Sequence, residues 1–93
     1  MVNRAEILDR AKELTCGQRD EEYGSPKDNM DHIAAMWTAY LWDRLTDPLT
    51  GADVAWMNAN IKQCRSVTSS KKRDHYDDGA AYVAIAGEVA DAE

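Results

Sequence analysis

The sequence predicts a small all-α fold, an up-and-down bundle of about four helices, and three observations carry that expectation. Apolar residues recur at spacings of three and four in four separate segments. Polar capping residues stand where those segments begin. No segment alternates apolar and polar residues as a half-buried strand does.

Asn3 and Glu6 form a capping box before Ile7, Leu8, Ala11 and Leu14, and Gly17 ends this first helix. Gly24-Ser25-Pro26 opens the second, with Ser25 as N-cap and Pro26 at the first helical position. Met30, Ile33, Ala34, Trp37, Tyr40, Leu41 and Arg44 then share one arc, so this helix is expected to run from Pro26 to about Leu45. Asp47-Pro48 breaks the pattern. Thr50 and Asp53 make a further capping box, and Val54, Met57, Ile61 and Cys64 mark a third helix to near Ser66. Residues Thr68 to Arg73 read as a polar, basic loop, after which Asp74 is expected to cap a fourth helix. On it Tyr82, Ile85, Ala86 and Val89 share a face, and Gly79, Ala80, Ala81 and Gly87 allow close helix approach.

The 93 residues are read as one domain, 1–93. A chain of this size buries only about 60–65% of its unfolded surface, so a homo-oligomer is expected. Trp42 and Trp56 lie off the apolar stripes and are candidates for the subunit contact or for stacking on a base. Trp37, central on its arc, is expected in the core. The net charge of -6 repels phosphodiester backbones, which argues against nucleic acid as a partner. No apolar run approaches the roughly 20 residues of a membrane span. Cys16 and Cys64 lack metal-binding spacing and follow no secretory signal, so reduced thiols and a cytoplasmic location are expected.

If helices two, three and four alternate in direction, the start of the second, the end of the third and the start of the fourth meet at one pole. Tyr23, Asn29 and Asp31 would come from the first, Lys62 and Arg65 from the second, and Asp74, His75 and Asp78 from the third. The carboxylates Asp31, Asp74 and Asp78 are candidate ligands for Mg2+, and Lys62 and Arg65 for phosphates. Acids in a first turn and bases in a last turn also suit the helix macrodipole without any ligand. Asp78 stands out because it lies about 40° from Tyr82, inside the apolar arc, where a carboxylate needs a partner. Arg65 is the structural candidate for that partner and a metal or substrate the functional one. Asn60 is expected to be a buried amide, placed either for a core hydrogen bond or for a base or ribose. His75 is read as a core or capping residue. Lys62 is expected to point away from the core, and Lys71, Lys72 and Arg73 to form a solvated run able to close over phosphates.

The series Glu22-Tyr23-Gly24-Ser25-Pro26, Asn29, Ile33-Ala34, Trp37, Tyr40-Leu41, Asp53-Val54-Ala55, Lys62, Arg65, Asp74, Asp78 and Ala81-Tyr82 resembles an uncharacterised helical domain of bacteriophages and prophages, over nearly the whole chain. More remotely, the layout resembles the MazG-type all-α nucleoside triphosphate pyrophosphohydrolases, whose ExxE and ExxD pairs bind magnesium. Asp28-Asn29-Met30-Asp31 and Asp74-His75-Tyr76-Asp77 are the nearest equivalents, with aspartates where that family has glutamates. The resemblance implies nucleotide binding, with Tyr23, Asn29 and Asn60 as candidate contacts, and magnesium-dependent hydrolysis of nucleoside triphosphates to monophosphate and pyrophosphate. Two other readings stand beside it: non-catalytic sequestration of a nucleotide or nucleotide-derived signal, and a protein-protein interaction module working through Trp42 and Trp56.

Overall fold

The computed structural model describes residues 1–17, 21–22 and 24–93. Among them four helices carry the fold: α1 (Arg4–Thr15), α2 (Pro26–Tyr40), α3 (Gly51–Ser66) and α4 (Asp74–Ala92), with a 3-10 turn, Trp42–Arg44, behind α2. The described residues contain no strand, and the small all-α fold is the one expected. No helix among them is long and apolar enough to cross a membrane.

Three helices begin as their capping residues require. The Asn3 side chain accepts a hydrogen bond from the Glu6 amide at 2.9 Å, and Ser25 Oγ accepts one from the Asp28 amide at 3.1 Å. Thr50 and Asp53 form a complete capping box: Thr50 Oγ1 accepts from the Asp53 amide (3.2 Å) and Asp53 Oδ2 from the Thr50 amide (2.9 Å). α4 differs from expectation. Arg73 is already in the right-handed helical region, so Asp74 sits inside the first turn and caps nothing. The chain winds into α4 from the preceding turn, in which Ser69 O accepts from the Lys72 amide and Lys72 O from the His75 amide.

α2 is also shorter than its apolar arc suggested. The α-helix stops at Tyr40, and the chain tightens into the 3-10 turn through hydrogen bonds from Arg44 N to Leu41 O and from Leu45 N to Trp42 O. The tightening lets the chain double back, so that Leu49 N donates to Thr38 Oγ1 on the buried side of α2 at 3.0 Å.

α3 and α4 form an antiparallel hairpin, the most extensive contact in the molecule. α1 lies parallel to α4: Arg73 reaches Glu6 at one end, while Leu14 and Thr15 border a crevice with Asp78, Tyr82 and Ile85 farther along. α2 crosses the opposite end of the hairpin, where Met30 and Asp31 meet Gly51 and Val89. The core is centred there, with Val54, Ala55, Ala86 and Val89 fully buried, Met30, Ala34 and Ile85 nearly so, and Trp37 packed against them.

The buried face of α3 is rotated from the one expected. Val54 is buried, but Met57, Ile61 and Cys64 are exposed, and Ala52 and Ala55 occupy the seam instead. Small side chains on both helices bring the two backbones close, and the bulky residues of α3 no longer fit between them. The rotation carries Lys62 onto the seam, where its Cβ lies 3.7 Å from the position a Gly79 Cβ would take.

Gly87 sits within α4, exposed, with nothing within 4 Å of a Cβ built on it. Gly87→Ala removes backbone entropy from the unfolded chain without a clash. It is expected to stabilise the protein by about 0.5–1 kcal/mol, read as a higher melting temperature. An unchanged or lowered value would show that the outer face of α4 is covered.

Candidate functional site

A cleft of about 450 Å³ opens between α3 and α4 towards the hairpin's turn. Trp56 from α3 and Tyr76 from α4 both line it, together with Asn60, Lys62 and Gln63 of α3, His75 of α4 and Ile7 of α1. The rotation of α3 creates this lining, because it turns Trp56, Asn60 and Gln63 to the cleft and leaves the small residues Ala59, Gly79 and Ala80 as its floor. Trp56 is 52% exposed and Tyr76 43%, so both side chains remain accessible from solvent. The Tyr76 hydroxyl donates to the Ser70 carbonyl, which fixes the ring against the basic turn.

Asn60, expected as a buried amide, is exposed on this cleft, again because the seam of α3 runs elsewhere. Lys62, expected to face solvent, is partly buried and pairs with Asp78 at 3.0 Å. Asp78 therefore has the cationic partner its position demanded, but that partner is Lys62 and not Arg65. Arg65 is exposed on the last turn of α3. Lys71 and Lys72 are exposed in the loop beside it, so three cationic side chains stand at the hairpin's turn.

Arg73, expected in the solvated run with Lys71 and Lys72, is exposed but engaged. Its Nε donates to both oxygens of Asp77, at 3.0 and 3.2 Å, and its Nη2 donates to the Glu6 carbonyl at 3.1 Å. Asp77, which the remote resemblance pairs with Asp74 as a carboxylate for magnesium, is 6% exposed, the most buried acid described, and is taken up by Arg73 instead. The signal was the i, i+4 spacing from Arg73, which places a cation over the same helical face.

The expected pole does not assemble. α2 begins at the far end of the hairpin, so Asp31 lies beside Gly51 and is bonded to Lys27, whereas Asp78 lies beside Lys62. Eleven residues of α3 separate those two levels, about 16 Å along the helix axis. Asn29, half-buried in the first turns of α2, belongs to the Asp31 end. Asp74 is exposed at the other. Tyr23 lies outside the described residues. Asp31, Asp74 and Asp78 therefore do not fit around one magnesium ion within a chain, and no group of three or more His, Cys, Asp or Glu among the described residues is placed to hold a metal. The Asp31 hydrogen bond holds the Lys27 pKa above its ordinary value.

A second, larger groove of about 660 Å³ lies at the α2 end. Ala35, Ala39, Trp42, Pro48 and Leu49 give it an apolar floor, and Asp31 and Glu93 border it. The two candidate tryptophans thus belong to different surfaces, Trp42 to this groove and Trp56 to the cleft.

Over residues 6–90 the chain matches a family described as a domain of unknown function, DUF6378. It is 34% identical over 79 residues to the Gene 55 protein of Mycobacterium phage L5, covering 85% of this chain and 49% of that one. It is 33% identical over 76 residues to the Gene 55 protein of Mycobacterium phage D29, covering 82% and 48%. The chain spans about half the length of these curated relatives. No solved structure matches it. The chain belongs to the DUF6378 family, and its relatives are phage proteins.

Proposed function

We propose that this member of the DUF6378 family binds a nucleotide in the α3–α4 cleft and holds it without turnover, sequestering a nucleotide or nucleotide-derived signal in the host-cell cytoplasm. The observation that carries the reading is the cleft's lining: two exposed aromatic side chains, Trp56 and Tyr76, together with the amides of Asn60 and Gln63. Aromatic faces accept the π-surface of any base, and neighbouring amides can read its polar edge. The volume lies within the range of small-molecule sites. Phosphates would extend towards Arg65, Lys71 and Lys72, with Lys62 exchanging part of its pairing with Asp78 for them.

The magnesium-dependent hydrolysis implied by the MazG-type resemblance needs several carboxylates around one ion. The chain keeps Asp31 at the far end of the hairpin and Asp78 in an ion pair with Lys62, so these two carboxylates do not share one ion.

Titration calorimetry with nucleoside mono- and triphosphates, with and without magnesium, tests the proposal. Saturable binding with magnesium-independent affinity is expected, accompanied by a rise in melting temperature. Trp56→Ala is expected to weaken binding at least about tenfold through lost stacking. Equal melting temperatures across the whole set would overturn nucleotide binding. Pyrophosphate release in magnesium would replace sequestration with the hydrolytic reading.

One observation favours a second reading, a protein-protein contact at the other end of the molecule. Met36 (73%), Tyr40 (84%) and Trp42 (65%) are exposed together on and just behind α2, beside the apolar groove. Bulky apolar groups gathered in this way mark contact surfaces. Self-association through this face predicts a concentration-dependent mass in light scattering that Met36→Lys with Trp42→Ala abolishes. A monomer at every concentration would remove the self-association.

A further inference from the structure

The groove beside α2 lies in the most acidic part of the molecule. Residues 26–53 and 86–93 make up α2, the link to α3, the start of α3 and the end of α4. Among them Lys27 and Arg44 stand against eight aspartates and glutamates, an excess equal to the chain's whole net charge of -6. Asp31 and Glu93 line the groove directly. Lys27 sits among three acids: its hydrogen bond to Asp31 and the charges of Asp31, Glu93 and Asp28 hold its pKa above the ordinary value. One cation therefore answers three carboxylates at this end of the groove. Past the other end, Asp43 follows Trp42 and Asp47 precedes Pro48, both exposed and, like Asp28, in no ion pair among the described residues.

Between the two sets of acids the surface is apolar. The distance along the chain from Asp31 to Trp42 corresponds to about 16 Å, or roughly three turns of helix. Ala35 and Ala39, both exposed, leave room over the groove's floor for bulkier side chains, and Trp42 stands exposed beyond them. A helix lays its apolar face into such a groove through side chains three and four residues apart. Charge narrows the choice of helix. A two-fold contact joins one patch to itself, so a second copy placed face to face would set these carboxylates against their own kind. The phosphates of a membrane surface or a nucleic acid are repelled in the same way. Lys or Arg at the two ends of an apolar stripe complements both sets of acids.

We propose that the groove at the α2 end binds a short amphipathic helix of a partner protein, apolar along one face and carrying Lys or Arg at both ends. The proposal rests on the second reading above, that this end of the molecule is a protein contact, and commits that contact to a basic occupant. Apolar side chains of the partner helix pack over Ala35 and Ala39 against Trp42, and its cations meet Asp28, Asp31 and Glu93 at one end and Asp43 and Asp47 at the other.

Three synthetic peptides about four turns long test it against the full chain: leucine and lysine with leucine along one face, the same pattern with glutamate for lysine, and lysine with serine for leucine. Fluorescence anisotropy of the labelled peptides is expected to show the leucine-lysine peptide binding at least about tenfold more tightly than either of the others, and more weakly as salt is raised. NMR resonances of Ala35, Ala39 and the Trp42 indole are expected to shift on binding. Asp28→Asn combined with Asp43→Asn and Asp47→Asn, three exposed positions, is expected to weaken binding at least about fivefold, with circular dichroism confirming the fold. Equal affinity for the lysine and glutamate peptides, or shifts confined to residues outside the groove, would overturn the proposal. A dimer through this face that excludes the peptide would also overturn it, leaving the contact surface with a second copy as its occupant. If no peptide binds and the protein is a monomer at every concentration, the second reading falls as well. Nucleotide binding in the α3–α4 cleft is decided separately by its own titration.

Discussion

A valine at position 51 is expected to lower the melting temperature by roughly 10–20 °C. Gly51 opens α3 at the place where α2 and the end of α4 also meet, and it is buried there. A Cβ built on it lies 3.0 Å from Val89 Cγ1, 3.2 Å from Met30 Cβ and 2.5 Å from Asp31 Oδ1. The Asp31 carboxylate can swing aside at the expense of its bond to Lys27. Met30 Cβ cannot retreat without moving the α2 backbone, and Val89 is fully buried in the core. Overpacking of this kind costs about 1–3 kcal/mol, occasionally more, and each kcal/mol is worth about 4–8 °C in a domain of this size. Thermal unfolding followed by circular dichroism measures it. A loss of only a degree or two would mean that α2 does not seat on the hairpin end. Gly87→Ala, made in the same way on the outer face of α4, has the opposite expected sign. The pair therefore separates the close approach at Gly51 from any general effect of replacing glycine.

Gly51 also shows where the sequence stops being informative. Local chemistry was legible: Asn3, Ser25 and the Thr50–Asp53 box start their helices as their side chains dictate, since a cap is decided within four residues. The α4 arc was legible as well, because Ile85, Ala86 and Val89 lie together on the only strongly apolar face of that helix. The face of α3 was not. Ranking its residues by hydrophobic bulk pointed to Met57, Ile61 and Cys64, while the seam is filled by the alanines that let α4 approach. What decides the matter is the distance between two helices, which a single helical wheel does not contain.

The candidate site follows the same division. Asp78 was identifiable as a carboxylate that needs a cation, because its place on the apolar arc is a property of one helix, and it is partly buried there. Choosing between Lys62 and Arg65 requires the rotation of α3, and the rotation favours Lys62. The assumption that α2 alternates in direction with α3 and α4 put Asp31 and Asn29 at the wrong end, since α2 crosses the hairpin near Gly51. The cleft itself needed tertiary information from the outset. Trp56, Asn60 and Gln63 come from one helix and Tyr76 and His75 from the next, and only the α3 rotation turns them to a common space.

Arg73→Ala is expected to destabilise the protein by roughly 2 kcal/mol and to loosen α1 selectively. Arg73 joins three groups: its Nε spans both oxygens of Asp77, its Nη2 holds the Glu6 carbonyl, and its Nη1 lies 3.8 Å from the Glu6 carboxylate. The Glu6 carboxylate contact is exposed and worth little. The Asp77 pair is another matter, because the Asp77 side chain is 9% exposed and removing the guanidinium strands its charge. Breaking a fully buried pair costs about 3–5 kcal/mol, and the half-open position of Arg73 reduces that towards the lower figure. Asp77→Asn keeps an oxygen for Nε and removes the stranded charge, so it is expected to cost less than Arg73→Ala. α1 buries little beyond Ala11, so the bond from Arg73 to the Glu6 carbonyl is a large part of what fixes its N-terminal half. Hydrogen exchange should therefore show faster amides over Ile7–Ala11 in Arg73→Ala, with α3 and α4 changing only by the global loss of stability. Uniform acceleration across all four helices would mean that α1 is held by its apolar contacts with α4, and that Arg73 stabilises α4 alone through Asp77.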